Sequence, residues 1–572
     1  MYDGPVNGRP GRSSAADLPL SERPGTPEDQ VLAYHERTKH DLGRFAASLG
    51  YLDWATQPDP FRRFGGAPTA SLRLPPPDDP LPYAALFAPD ARRPAPLTTG
   101  TLSRFLRLSL SITAWKEYRG SRWSLRANPS SGNLHPTEGY LVLPPVDGLG
   151  ARAAVWHYRP RDHALERRTE LDAGVFRTLL AGAPAGSFVA GLTSVFWREA
   201  WKYGERAYRY SQHDVGHAIG TLRFAGAALG WRARLLDEVD DATVASLLGL
   251  ERDADFEGAE RESPEALLLV GPEVSGGIDA SPVRGIAAGE WSGRANVLSP
   301  SHAVDWDVID VVAEAAVKRT AEDVAVRRED FTGFPNDVEL RQTGEFAAEP
   351  TAEHVILGRR SAVAMDRVTS LPAERFFDML ARVVPTHRNK TVPWDALPWR
   401  PRIHLGLFVH RVDGLAPGLY SLGRDPAKVD LLRASMRAEF AWERPERAPP
   451  GLPLFRLASA DVRTVAEEVS CGQAVAADGA FSLGMIAELH DSIERYGPWF
   501  YRRLFWEAGL VGQVLYLEAE AAGLRATGIG CFFDDPMHDV FGLRGGPLES
   551  LYHFTVGGPV EDSRLTTLPA YA

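Results

Sequence analysis

The sequence predicts an α+β fold made twice over. Three observations carry this: a length of 572 residues, too long for one ordinary core, a mixed order of strand-like and helix-like segments, and an internal repeat. When Tyr203-Gly204 is aligned with Tyr496-Gly497, the register holds without a gap through Leu250 and Leu543. Tyr208/Tyr501, Arg209/Arg502, Gly216/Gly509, Leu222/Leu515, Gly230/Gly523, Arg232/Arg525, Ala233/Ala526, Asp241/Asp534, Gly249/Gly542 and Leu250/Leu543 are identical. Ordinary residue frequencies give about three identities in such a window. The chain therefore reads as a tandem duplication. It divides into a disordered leader over 1–28, an N-terminal extension over 29–96, a first domain over 97–275, a linker over 276–349 and a second domain over 350–572.

The elements follow in order. Val31, Leu32, Tyr34, Leu42, Phe45 and Leu49 have helical spacing, so a helix is expected from Pro27 to about Leu49. A Pro-rich connection over 58–96 leads to a helix from Thr98 to Trp115, with Thr98 as its cap and Leu102, Phe105, Leu106 and Leu108 on one face. Next come a polar loop, strands at Gly139–Leu143 and Val155–Tyr158, helices around 172–181 and 203–230, and a closing strand at Ala266–Val270. After a Gly/Ser-rich linker the order recurs: a capped helix over Ser370–Val384, the turn Pro385-Thr386-His387-Arg388-Asn389, strands at Ile403–Val409 and Gly418–Leu422, two helices within 471–523, and a last strand at Ser550–Val556.

Composition narrows the function. Apolar residues make up 44% and charged residues 24%, the balance of a soluble globular protein, and the net charge of −12 argues against nucleic acid and anionic membranes as partners. A peptide or small-molecule substrate is expected. Cys471 and Cys531, distant in sequence, suggest neither a disulfide framework nor a zinc site, and no metal is expected. No apolar run has membrane-spanning length and Met1–Asp17 lacks a hydrophobic signal region, so the expected location is cytoplasmic. His213 and His217 have the i, i+4 spacing of zinc peptidases but lack the Glu of that motif, which favours packing or a cleft-side role. Trp115, Trp123, Trp197 and Trp201 are expected in the core and between the halves, and Pro498-Trp499-Phe500-Tyr501 reads as core packing, with a pocket roof as the alternative.

The loop Asn128-Pro129-Ser130-Ser131-Gly132-Asn133-Leu134-His135-Pro136-Thr137-Glu138 offers hydroxyls, an amide and bare N–H groups to a polar ligand. Its Pro-Ser-Ser-x-Asn resembles the flavin-contacting loop of the nitroreductase superfamily, and the longer stretch is similar to the SagB/ThcOx-type dehydrogenase branch. The resemblance covers about residues 97–275 and 350–565. It implies two nitroreductase-like domains, each a mixed sheet flanked by helices, fused into an intramolecular pseudo-dimer with FMN as cofactor. Further self-association stays open.

The two halves differ where such a fold binds its flavin. Gly358-Arg359-Arg360-Ser361 of the second half resembles the family's phosphate clamp, where guanidinium forks and a hydroxyl suit a dianion. The first half reads Leu86-Phe87-Ala88-Pro89-Asp90 there. Gly528-Ile529-Gly530 permits close backbone approach, whereas the first half has Leu235-Leu236-Asp237. Arg564 stands where the family often places another basic contact. The Ser-Ser-Gly-Asn loop is intact only in the first half. In nitroreductase dimers the clamp and this loop come from opposite subunits, so the resemblance implies one composite site: Arg359, Arg360, Ser361, Gly528, Ile529, Gly530 and Arg564 with Pro129, Ser130, Ser131 and Asn133. The reciprocal site is expected to be vestigial.

Lys202-Tyr203 resembles the catalytic pair of SagB-type azoline dehydrogenases; the second half has Arg495-Tyr496, and Arg is no base at neutral pH. The resemblance implies FMN-dependent dehydrogenation of an azoline or similar heterocycle in a ribosomally made peptide, with biosynthetic partner proteins. Two alternatives stand beside it: an NAD(P)H-dependent flavin, nitro or quinone reductase, and a non-catalytic scaffold on the same fold.

Overall fold

A computed structural model describes residues 25–76, 79–88, 91–319, 349–385 and 392–571. Its frame is two antiparallel sheets with one strand order. The first runs Thr69–Ser71, Ala164–Leu171, Ala153–Arg159, Thr137–Leu143, Phe188–Ser194, Ser263–Gly271, Arg232–Leu235. The second runs Leu454–Ser459, Gly418–Leu422, Ile403–Val409, Phe481–Ala487, Glu549–Gly557, Arg525–Ile529. Without the extra edge strand Thr69–Ser71 the two orders match position for position. The repeat's register also extends back through helices Phe196–Tyr203 and Leu489–Tyr496 to strands Phe188–Ser194 and Phe481–Ala487. Every pairing within these sheets is antiparallel, so what is mixed is strand with helix and not strand direction.

The halves meet through the helices Ala207–Ala228 and Phe500–Ala521, which are apolar or buried on nearly every face because each packs on its own sheet and on the other helix. Their crossing depends on two equivalent glycines. A Cβ on Gly216 would lie 2.2 Å from the Trp506 carbonyl oxygen, and one on Gly509 would lie 2.2 Å from the His213 carbonyl oxygen. The backbones thus approach more closely than any side chain permits, at a point where the duplication kept glycine in both copies. One continuous apolar cluster spans both halves.

A third sheet ties the end of the chain to the first half. Ile112–Tyr118 and Ser121–Arg126 form a hairpin, and Thr566–Pro569 adds antiparallel to Ile112–Tyr118. The Tyr571 hydroxyl accepts from Ile112 N–H at 3.1 Å and donates to the Pro160 carbonyl at 2.7 Å, anchoring the strand.

Several local expectations change. The first helix is Pro27–Arg37, capped by Thr26, and so starts within the stretch read as leader; Leu42 and Phe45 lie beyond it, exposed. The helix capped by Thr98 ends at Ser109, and Trp115 lies on a strand because Ile112 begins a β-hairpin. Strands Ala164–Leu171, Phe188–Ser194 and Phe481–Ala487 were not anticipated; the last stands within a region expected to be helical. The helix expected over 370–384 is Ala373–Arg382, and Ser370 bonds Asp413 instead of capping it. Trp499, Phe500 and Tyr501 are buried as expected. Thr386-His387-Arg388-Asn389, Pro89-Asp90, residues 1–24 of the leader and 320–348 of the linker lie outside the described residues. Among the described residues no helix is long and apolar enough to cross a membrane.

Candidate functional site

A cleft of about 440 Å³ lies between the halves. Its walls are the loop Asn128–Asn133, the segment Arg359–Val363, the edge strand Arg525–Ile529 with Gly530 and Cys531, and the central-helix side chains Tyr210, Asp214, His217 and Tyr516. The structure therefore brings Pro129, Ser130, Ser131, Asn133, Tyr203, Arg359, Arg360, Ser361, Gly528, Ile529 and Gly530 into one cavity. It does not bring Arg564, whose exposed guanidinium is forked onto Asp562. Lys202 is also absent from the lining: its ammonium lies 5.3 Å from the centre of the Tyr203 ring.

One end of the cleft is cationic. Arg359 lies over the Tyr516 ring and donates to the Arg126 carbonyl at 2.9 Å; Arg360 donates to the carbonyls of Leu357 and Arg359. Burial, and then neighbouring guanidiniums, push both arginines down to about 10. Arg525, paired with Glu520, and the buried Arg126 add to this end, while Glu561 and Asp562 stand at the rim. Guanidiniums held together with backbone carbonyls as their main partners have charge to spare for a dianion. The Tyr516 hydroxyl accepts from Gly528 N–H at 2.9 Å and shares a hydrogen bond of 2.8 Å with Ser361 Oγ, fixing the strand against the clamp. Gly528 and Gly530 are required by their neighbours: a Cβ would meet the Tyr552 hydroxyl at 1.9 Å or the Tyr210 ring at 2.5 Å.

The other end is the polar loop, bent sharply. Gly132, Asn133 and His135 all have positive φ, at 57°, 60° and 54°, which for the two non-glycine residues stores roughly 1–2 kcal/mol each. Ser130 Oγ accepts from His135 N–H at 2.8 Å, Asn133 donates to the Ser124 carbonyl at 2.9 Å, and Ser131 donates to Asp214 Oδ1 through N–H (3.1 Å) and Oγ (3.3 Å). Tyr203 packs under the bend, its hydroxyl 2.6 Å from where a Cβ on Gly132 would be. Burial raises Asp214 to about 7 and holds Glu199 well above the carboxylate range, with Asp214 adding to the latter. Asp214 Oδ2 and both Glu199 oxygens are buried without a hydrogen-bond partner among the described residues. Tyr203 stays a neutral phenol, raised first by burial and then by Glu199.

The pseudo-symmetric position is built differently. The counterpart of Asp214 is Glu507, whose oxygens accept from Arg424, Trp399 and the N–H groups of Arg402 and Ile403. Tyr496, matching Tyr203, accepts from Arg402 at 2.8 Å. Where the cleft has Gly530, the first half has Asp237, paired with Arg503 at 3.0 Å and with the buried linker residue Lys318 at 3.7 Å. Ion pairs fill that position, while Asp214 at the cleft accepts from Ser131 and is bonded to no arginine among the described residues.

His213 stacks on Tyr552 at 4.1 Å, and His217 faces the Tyr552 hydroxyl and Gln513 at 3.3 Å each. Burial keeps both neutral, His217 at about 3, and their places are packing and cleft wall.

The nitroreductase family profile matches residues 93–259 and 432–558, which together make up just over half of the chain. The chain belongs to the nitroreductase family. A crystal structure from Anabaena variabilis, named as a nitroreductase, aligns 99% of its chain with 93% of this one at 22% identity and a TM-score of 0.64, so the whole two-domain fold recurs there. A protein of Methanocaldococcus jannaschii, named as a nitroreductase, is 29% identical over 142 residues, 24% of this chain and 66% of that protein, which is under two thirds of its length. The microcin synthetase McbBCD complex of E. coli aligns 84% of its chain with 46% of this one at 18% identity and a TM-score of 0.26.

Members of the nitroreductase family are FMN-dependent flavoproteins, and FMN is the cofactor of this one. The cleft fits it: uncompensated guanidiniums suit the phosphate, and the flat edge strand and tyrosines suit a ring system. Sequence reading missed Arg126, Arg525, Tyr516, Tyr552, Asp214 and Glu199. Arg232/Arg525 was visible as an identical pair, and Asp214 lay between the two histidines already singled out, but nothing in the spacing showed that Arg126, Arg525, Tyr516, Tyr552 and Asp214 face one cavity, with Glu199 buried outside its lining.

Proposed function

We propose that this nitroreductase-family oxidoreductase is a dehydrogenase that oxidises an azoline or similar heterocycle in a peptide. Arg359, Arg360 and Ser361 would hold the phosphate of FMN, with Gly528, Ile529 and Gly530 along the ring and Pro129, Ser130, Ser131 and Asn133 closing the opposite side. FMN, when bound, supplies the two-electron acceptor. The proton leaving the substrate is handled by the chain. Asp214, poised near neutrality with an unsatisfied oxygen, accepts it; Tyr203, a neutral phenol, orients the substrate or relays the proton; Lys202 sets the charge beside Tyr203 and Glu199.

The observation that carries the proton chemistry is the contrast between halves. Asp214 and Tyr203 are open to the cleft, while Glu507 and Tyr496 are bound to arginines. The choice of an azoline peptide rests on the likeness of Lys202-Tyr203 and the Pro-Ser-Ser loop to the SagB branch. The test is anaerobic mixing of holoprotein with a synthetic azoline-containing peptide, read by flavin bleaching and the product's mass. Loss of two hydrogens from the ring supports the reading. Rapid bleaching by NADPH with an unchanged peptide would make the protein a reductase.

A further inference from the structure

Cys471 and Cys531 meet at the rim of the cleft, their Sγ atoms 2.8 Å apart, and His40 Nδ1 lies 3.6 Å from Cys531 Sγ. The proposed dehydrogenation uses none of the three. The juxtaposition is held by the fold: Phe533 N–H donates to the Val469 carbonyl at 2.8 Å, and the Gln473 amide donates at 2.9 Å to both the Cys531 and Ser470 carbonyls. Cys471 sits at a positive φ of 56°, which turns its side chain inward at the head of a tight turn. Both thiols are free and partly exposed, and Cys531 lines the cleft.

We propose that Cys471 and Cys531 are a thiol–disulfide exchange pair that takes small-molecule disulfides as its oxidant. Cys531 is the attacking thiol. Its contact with Cys471, with Arg206 nearby, lowers its pKa, whereas the same contact and burial raise that of Cys471. The Cys531 thiolate attacks one sulfur of the oxidant RSSR, forming a mixed disulfide and releasing RS⁻. The Cys471 proton passes to the first RS⁻, and Cys471 attacks Cys531 Sγ, releasing the second RS⁻, which takes from solvent the proton that Cys531 gave up. Overall two protein thiols and RSSR give one protein disulfide and two RSH. The bond ties the turn before Gln473 to the Gly530–Cys531 wall, so oxidation state is written into the cleft's edge.

A metal is the other ligand the cluster could take, since His40, Cys471 and Cys531 offer three donor atoms within 4.8 Å of one another. The Arg206 guanidinium beside Cys531 favours a thiolate and opposes a dication. The nearest buried carboxylate, Asp534, is engaged by Arg206 and Arg209 at 2.9 Å each.

The experiment equilibrates the full-length protein, reduced and then freed of reductant, with glutathione disulfide and glutathione, and reads thiols by alkylation and intact mass. Wild type should lose both thiols together and keep no glutathione. Cys471→Ser should retain one glutathione on Cys531, and Cys531→Ser should react at least about tenfold more slowly. His40→Gln should exchange as wild type does. The proposal is overturned if wild type keeps both thiols or ends with a glutathione on each. It is equally overturned if stoichiometric zinc survives gel filtration, shields both thiols and is lost in His40→Gln, which would make the cluster a metal centre.

Discussion

In the proposed dehydrogenation Asp214 is the residue on which the chemistry turns. Its raised pKa comes from burial first, with Ser130 and Ser131 partly offsetting it, so folding holds a proton there that the unfolded chain has lost above its ordinary value of 3.8. The sign follows: native Asp214 binds more protons than unfolded Asp214 between about pH 4 and about pH 7, so stability falls as pH rises through that window. Asp214→Asn is expected to flatten this fall in urea melts taken at pH 5 and pH 8. Turnover should rise through an apparent pKa near 7 in wild type and lose that limb in Asp214→Asn, with a drop of about 100-fold or more and flavin retained. An unchanged pH profile would remove Asp214 from proton transfer. The role proposed for Arg359 and Arg360 is binding. Each replacement by Ala removes charge-assisted bonds to a phosphate of roughly 1.5–3 kcal/mol, so the double variant should lose the thermal shift that added FMN gives wild type. An equal shift in both proteins would move the phosphate elsewhere.

At the level of elements, the helix crossing and the C-terminal strand are the joints. Gly216→Ala or Gly509→Ala puts a methyl against rigid backbone oxygen at 2.2 Å, whereas Gly220→Ala meets only the side chains of Leu510 and Gln513, at 2.7 Å or more. The first two should each cost about 3 kcal/mol or more and Gly220→Ala clearly less, as measured by chemical denaturation. Equal losses would mean the helices can part at the crossing. Tyr571→Phe leaves Ile112 N–H without its acceptor and should cost about 1–3 kcal/mol. It should also weaken FMN binding, because Leu565, just before that strand, lines the cleft.

The whole molecule carries one proposed flavin site and one position filled with ion pairs. Asp237, Arg503 and Lys318 occupy the place equivalent to the Gly530 wall, and each of these side chains is buried. One FMN per chain is therefore expected from the absorbance ratio of gel-filtered holoprotein. Because both walls of the cleft come from one polypeptide, that ratio should hold at dilutions where light scattering finds only monomer. Two flavins per chain would overturn the vestigial position, and flavin loss on dilution to monomer would overturn the intramolecular cleft.

The sequence by itself determined the duplication, because an ungapped register of identical residues survives wherever two copies fold alike. It also located the arms of the cleft, since Arg-Arg-Ser and Pro-Ser-Ser-Gly-Asn resemble the family's clamp and loop, and these strings and Gly-Ile-Gly are local and differ between the copies. Gly216 and Gly509 were visible as an identical pair, but their reason, a contact of backbone with backbone across the halves, belongs to the crossing alone. Strand Phe481–Ala487 was hidden in the sequence, because a short run buried on both faces has no period to separate it from helix. Arg564 was read from the family's frequent basic contact shortly after the last strand, yet Asp562, two residues earlier, holds it at the surface. The protonation of Asp214 and the meeting of Cys471 with Cys531 were decided only by tertiary structure. Desolvation and a 2.8 Å sulfur contact depend on what packs around a residue, and neither is a property of its neighbours in the chain.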